Sequence, residues 1–245
     1  MYRRYVCLRG AKMKIQQALA ALLLFTIAAF ADDEPTGPTV VRYFVQLGGS
    51  GILPMGSLNG KTIVSVDTVG DTSVTPEHVA IPKLPTFAMV NLRAGAYVDA
   101  STVTVGIGYG RPMLTASPAS QPIPAEHAQL WNFDFEYQYH FGYPGIWRPA
   151  IGASYGFTRM TVDAASIANV NGVNKVGHVL YSGAGPALVT GLGWYGYEHF
   201  AVVAEARFAL WPISYVTTTY NDFGQLKQSL YEFMPSLSLS LQTGF

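Results

Sequence analysis

The stretch Trp131 to Phe141, WNFDFEYQYHF, places a ring at every odd position and Asn132, Asp134, Glu136, Gln138 and His140 at every even one. Successive side chains of a strand point to opposite faces, so this is a ribbon whose aromatic face and polar face meet two different environments. Similar alternation divides the chain from Thr39 onward into eight segments: about 39 to 52, 84 to 98, 102 to 114, 127 to 142, 146 to 162, 178 to 195, 200 to 217 and 227 to 245. Each exceeds the roughly 9 to 11 residues that a tilted strand needs to cross a bilayer. Charged residues make up 12% of the chain, about half the share in ordinary soluble domains, and beyond residue 31 no apolar run approaches the roughly 18 residues of a spanning helix. Backbone groups in hydrocarbon must be paired internally, which leaves a closed barrel as the other spanning solution. The expected fold is all-β, an eight-stranded antiparallel up-and-down transmembrane β-barrel.

The connections support this. Short links at Asp99 to Ser101, Tyr143 to Gly145 and Gly196 to His199 take turns with long polar ones at Leu53 to Lys83, Thr115 to Glu126, Asp163 to Gly177 and Thr218 to Leu226. Outer-membrane barrels have tight periplasmic turns and longer extracellular loops, and an even strand number puts both termini in the periplasm. The alternation assigns to lipid the six rings from Trp131 to Phe141, then Val103, Val105, Ile107 and Tyr109, and Val202, Ala204, Ala206, Phe208 and Leu210. Trp147, Tyr155, Trp194 and Tyr231 are expected near the membrane boundaries, where amphipathic rings are enriched. The long first loop contains TIVSVDTV (Thr62 to Val69), expected to form a hairpin extending the first two strands.

Residues 1–31 read as a cleaved secretory signal peptide, with Met13 a plausible true start. Met13-Lys14 precedes a short apolar run and a small-x-small site ending at Ala31, leaving residues 32–245 as the barrel. The single cysteine, Cys7, lies before the cleavage point, which excludes disulfides from the mature chain. Five of the fifteen basic residues (Arg3, Arg4, Arg9, Lys12 and Lys14) precede it, so ten basic residues remain against fifteen acids. That balance argues against a nucleic-acid partner.

The last strand ends SLSLSLQTGF, with Leu237, Leu239, Leu241, Thr243 and terminal Phe245 on one face. This resembles the C-terminal signature by which the outer-membrane assembly machinery recognises its clients, with Phe245 as the assembly signal. WRPAIGASYGF, Trp147 to Phe157, resembles the fifth strand of small outer-membrane barrels, and the overall spacing is similar to the OmpW family, with OmpA- and OmpX-like barrels as relatives. The resemblance implies passive passage of small, mainly hydrophobic compounds through a narrow barrel, with exit sideways into the membrane.

Five inward charges, Arg93, Asp134, Glu136, Glu205 and Arg207, fall at similar heights counted from the short turns. An eight-stranded lumen is only wide enough for side chains to fill it, so they are expected to pair, either as a structural plug or as a gate. Small inward residues, among them Gly106, Gly108, Gly152, Gly183, Gly185 and Gly193, either make room for large neighbours or leave a cavity. Proline cannot donate to a ladder. Pro186 and Pro212 fall on one hairpin, which points to a lapse in hydrogen bonding there: a lateral opening, or a bulge near the rim. The five histidines are scattered, no G-x-S-x-G nucleophile motif or H-x-x-x-H metal spacing occurs, and GIGYGR lies in strand sequence with no helix after it. The expected function, as the resemblance implies it, is a non-enzymatic narrow channel for small hydrophobic molecules. The alternative is a structural or adhesive barrel with a plugged lumen and interacting loops. Neither needs a cofactor, and the expected partners are outer-membrane lipids, the assembly machinery and small hydrophobic solutes.

Overall fold

The computed structural model describes residues 41–60, 63–68, 77–114, 128–143, 145–169, 174–197, 200–218 and 224–244. The expected signal peptide and Phe245 lie outside them. The described residues form strands β1 (Val41–Ile52), β2 (Met55–Gly56), β3 (Ile63–Thr68), β4 (Glu77–Ala80), β5 (Phe87–Val98), β6 (Ser101–Gly110), β7 (Gln129–His140), β8 (Trp147–Asn169), β9 (Asn174–Trp194), β10 (Phe200–Thr218) and β11 (Gly224–Gly244). Eight long ones, β1 and β5 to β11, fall on the eight alternating segments. Every pairing is antiparallel, and β1 pairs with β5 on one side and β11 on the other, so the sheet closes as an eight-stranded up-and-down barrel. The two-residue turn between β5 and β6 holds Asp99 at φ 54°, a left-handed conformation that a short polar side chain tolerates.

Closure fixes the tilt. From Gly49 on β1, ladder partners run through Val90, Tyr109, Trp131 and Arg159 to Ser182 on β9. In the other direction they run through Leu239 and Ala204 to Leu192, ten residues from Ser182 on the same strand. A ten-residue stagger around eight strands corresponds to a tilt of about 40°. A ladder row therefore climbs toward the long-loop end by about 3 Å per strand in going from β1 through β5 to β9.

The faces follow the alternation. On β7, Phe133 and Phe135 are exposed, whereas Glu136, Gln138 and His140 are buried. Trp147 and Trp194 are ladder partners at the short-turn end, and Tyr231 lies toward the long-loop end. Tyr155 does not sit at a boundary: its partners are Phe135 and Pro186, which places it near mid-height in the apolar belt.

The first loop differs from expectation in its partners. β3 and β4 do pair with each other, but β3 then pairs with β11 and β4 with β8. The reason is geometric: β1 stops at Ile52 and β5 starts at Phe87, while β8 to β11 project further and leave open edges at β8 and β11. The hairpin caps both edges. Beyond the membrane belt the eight-stranded barrel thus continues as a ring of six strands, β8, β9, β10, β11, β3 and β4. In the segments expected as polar links, residues 163–169 and 174–177 belong to β8 and β9, and Thr218 and residues 224–226 to β10 and β11.

Candidate functional site

All five expected charges meet inside the barrel. β5, β7 and β10 are separated around the wall, and the stagger brings Arg93, Asp134, Glu136, Glu205 and Arg207 to one level. Arg93 Nη1 donates to Glu205 Oε2 at 2.6 Å and lies 3.6 Å from Glu136 Oε1. Arg207 donates to Asp134 Oδ2 at 2.9 Å and to Glu136 Oε2. Gln138 ties the two halves together, donating to Glu136 at 2.6 Å and to Glu205 at 2.7 Å. Arg93, Glu136 and Glu205 are only 8%, 2% and 6% exposed. In so dry a setting a charge is tolerated only when paired. Gly106 is what lets the pair fit, since a Cβ there would lie 2.8 Å from Asp134 Oδ1 and 3.0 Å from Arg93 Cγ.

This ionic level packs the interior beside Arg93 and Glu205 closely. The interior cavity beside Arg93 and Glu205 measures about 10 Å³, room for one water at most. Below it, the mouth at the short-turn end is a cavity of about 570 Å³. Tyr97 and Tyr195 hydroxyls are hydrogen-bonded there, Gln242 donates to Tyr97 at 3.2 Å, and the Arg148 guanidinium lies 3.9 Å over the Tyr195 ring. Burial, reinforced by the Tyr97 hydroxyl, raises the Tyr195 phenol above its ordinary range.

Above the ionic level the interior changes character. Met89, Leu130, Met160, Tyr181, Trp211, Ile213, Leu230 and Met234 from the wall pack with Leu58, Ile81 and Leu84 from the first loop as one apolar cluster. Among the described residues a single carboxylate enters it: Glu232, 1% exposed, accepts the Leu58 backbone N–H at 2.9 Å. Tyr181 Oη and Trp211 Nε1 are buried in the same cluster with no hydrogen-bond partner among the described residues.

The wall beside this cluster has a seam. Between β9 and β10 the ladder runs up to Ala187 and Ala209 and resumes at Ser182 and Tyr215. Five residues of β10, Leu210 to Ser214, face four of β9, Gly183 to Pro186, so β10 carries one extra residue. Pro186 and Pro212 both lie in this interval, while β9 stays paired with β8, and β10 with β11 up to Ile213. The strands remain in contact: a Cβ on Gly183 would lie 1.8 Å from the Pro212 carbonyl oxygen, and one on Gly185 1.9 Å from that of Leu210. The seam lacks ladder bonds but is closed by backbone approach.

Sequence reasoning missed Gln138 as the bridge, although it lies on the polar face of the same stretch as Glu136. It also missed the apolar upper interior. The signal was a change of pattern near Ala209 to Val216, where inward positions turn from charged to Trp211 and Ile213. Among the described histidines, His140 Nε2 lies 3.1 Å from Thr102 Oγ1, and His178 Nδ1 lies 3.0 Å from Asp163 Oδ1 on the outside of the wall. His127 and His199 lie outside the described residues.

No protein-family model and no curated protein matches the chain. Solved structures do. Neisserial surface protein A superposes with a TM-score of 0.51 at 13% identity, covering 83% of this chain and 97% of that one. The outer membrane protein OprG of Pseudomonas aeruginosa gives 0.53 at 9% identity, covering 86% and 99%. At such identities the likeness is one of fold, and on that ground the chain has the eight-stranded barrel architecture of small bacterial outer-membrane proteins.

Proposed function

We propose that the chain is an outer-membrane barrel, with both termini periplasmic, that passes small hydrophobic molecules from the outside into the membrane. Phe245 would serve as its signal to the assembly machinery. The observation that carries this reading is that the apolar upper interior and the unladdered seam are built from the same residues: Trp211 and Ile213 belong to both, and Tyr181 packs at their edge. An apolar solute held there meets a floor of paired charges below and a wall without ladder hydrogen bonds beside it. Leaving through the wall avoids desolvating the ion pairs, whereas passing downward would break them. In this state the route is shut, and passage requires Leu210 to Ser214 to move away from Gly183 and Gly185. Such a step costs contact but few hydrogen bonds. The reading assigns the chain no catalytic role.

A disulfide across the seam tests this. Ser182 and Tyr215 are ladder partners at its upper end, and the sequence contains no cysteine besides Cys7. Liposomes carrying Ser182→Cys/Tyr215→Cys should take up a small hydrophobic solute faster than empty liposomes when reduced, and no faster when oxidised. Flux that ignores the disulfide would reject the lateral route. Absence of flux under both conditions would favour the competing reading, a plugged structural or adhesive barrel, for which the buried ionic level is the supporting observation.

A further inference from the structure

The outward face of the barrel is uneven. Leu237 and Leu239 stand out as a ridge on β11, 72% and 61% exposed, and their ladder partners on both sides are small: Gly51 and Gly49 on β1, Ala206 and Ala204 on β10. A Cβ on Gly51 would meet nothing within 4 Å. The furrows beside the ridge, continued over Ala88, make an apolar groove of about 1100 Å³. It is walled by Val90 and Tyr109 and ends on Arg111 at the long-loop side.

Arg111 does not stand alone. Gly110, Leu130 and Met160 share one ladder row, so Arg111, which follows the last residue of β6, lies one residue above that row and Arg159 on β8 one residue below it. The climb of the row between these strands, about 6 Å, roughly cancels the offset and sets the two arginines at one height. Both are exposed on the outward face, and neither has an ion-pair or hydrogen-bond partner among the described residues. Between them stand Tyr109 and Trp131, ring centroids 4.5 Å apart, where amphipathic rings mark the edge of an apolar belt. Among the described residues, no outward carboxylate answers these charges. Asp134, Glu136, Glu205 and Glu232 are buried in the interior, and Asp163, beside His178, is four residues further out than Arg159.

We infer that this groove holds a phosphate-bearing lipid of the outer leaflet, its phosphate between Arg111 and Arg159 and its acyl chains in the furrows beside Leu237 and Leu239. A guanidinium and a phosphate form paired, charge-assisted hydrogen bonds, and Gly49, Gly51 and Ala88 leave the depth an acyl chain fills. A second copy of the chain fits less well, because among the described residues the outward wall at this height carries no acid to meet Arg111. The inference rests on the membrane-spanning part of the proposed function and is independent of transport.

The refolded full chain, exchanged into detergent with bis-phosphorylated lipid A or with the same glycolipid after phosphatase treatment, is examined by native mass spectrometry. Retention of the phosphorylated form should exceed that of the dephosphorylated form. Retention of the phosphorylated form should fall about fivefold in Arg111→Gln and about twenty-five-fold in Arg111→Gln/Arg159→Gln. Gly51→Leu/Ala88→Leu, which fills a furrow and keeps both charges, should lower retention of both lipids. Equal retention of the two lipids by the wild type, or a lipid-free dimer cross-linked through Gly51 and Leu237, would overturn the inference. Heat-modifiable gel migration is read in parallel: if the wild-type chain lacks it, the barrel reading fails, and if the chain keeps it without phosphate preference, only the lipid site does.

Discussion

Glu136 is the hub of the lumen, facing Arg207, Arg93 and Gln138 at once. The network holds two guanidiniums against three carboxylates, and this imbalance sets the order of expected effects. Arg207→Ala leaves one guanidinium for three acids and strips Asp134 of its cation, so it should lower stability by about 3–5 kcal/mol. Glu136→Gln leaves two against two and keeps a hydrogen-bonding side chain, so the loss should be nearer about 1–2 kcal/mol. Urea unfolding followed by gel migration measures both. If the ionic level is also a gate, each substitution should raise single-channel conductance in planar bilayers. Unchanged conductance in both variants would leave it a structural plug.

Among elements, the junction of β9 with β10 is set apart from its neighbours. Backbone carbonyls of Leu210 and Pro212 press on Gly185 and Gly183, so Gly185→Ala forces the strands apart and should cost about 1–3 kcal/mol. The same change at Gly51, where a Cβ meets nothing, should stay within about 0.5 kcal/mol. Amides without ladder partners open locally at low free energy. Hydrogen exchange in bilayers should therefore be faster across Leu210 to Ser214 than across Phe133 to Glu136, whose ladders are continuous on both sides. Equal protection would mean that the seam is as firm as the rest of the wall.

Over the whole molecule, the barrel and its six-stranded extension bury one apolar interior, and Leu58, Val79, Ile81 and Leu84 from the first loop lie in it almost without exposure. Replacing Ile63 to Ala80 by a short linker should leave a heat-modifiable eight-stranded barrel, because β3 and β4 add to the wall beyond the belt rather than within it. It should also quicken uptake of a hydrophobic solute, by uncovering the upper interior. Loss of the folded form in that variant would show instead that the hairpin holds the barrel closed.

Period-two alternation is a local rule that the solvent on each side imposes. It made the barrel class, the strand number and the inward set Arg93, Asp134, Glu136, Glu205 and Arg207 readable from the chain alone. Prolines, lacking a donor, likewise marked the β9–β10 interval. Pairing is not local. Arg93 and Glu205 are 112 positions apart, and their contact follows from a stagger that exists only once β1 meets β11. Register also decided that the first-loop hairpin joins β8 to β11, that the seam is shut by glycine approach, and that Arg111 and Arg159 share a height. Each is a relation between distant strands, specified by closure of the sheet and by no single segment of it.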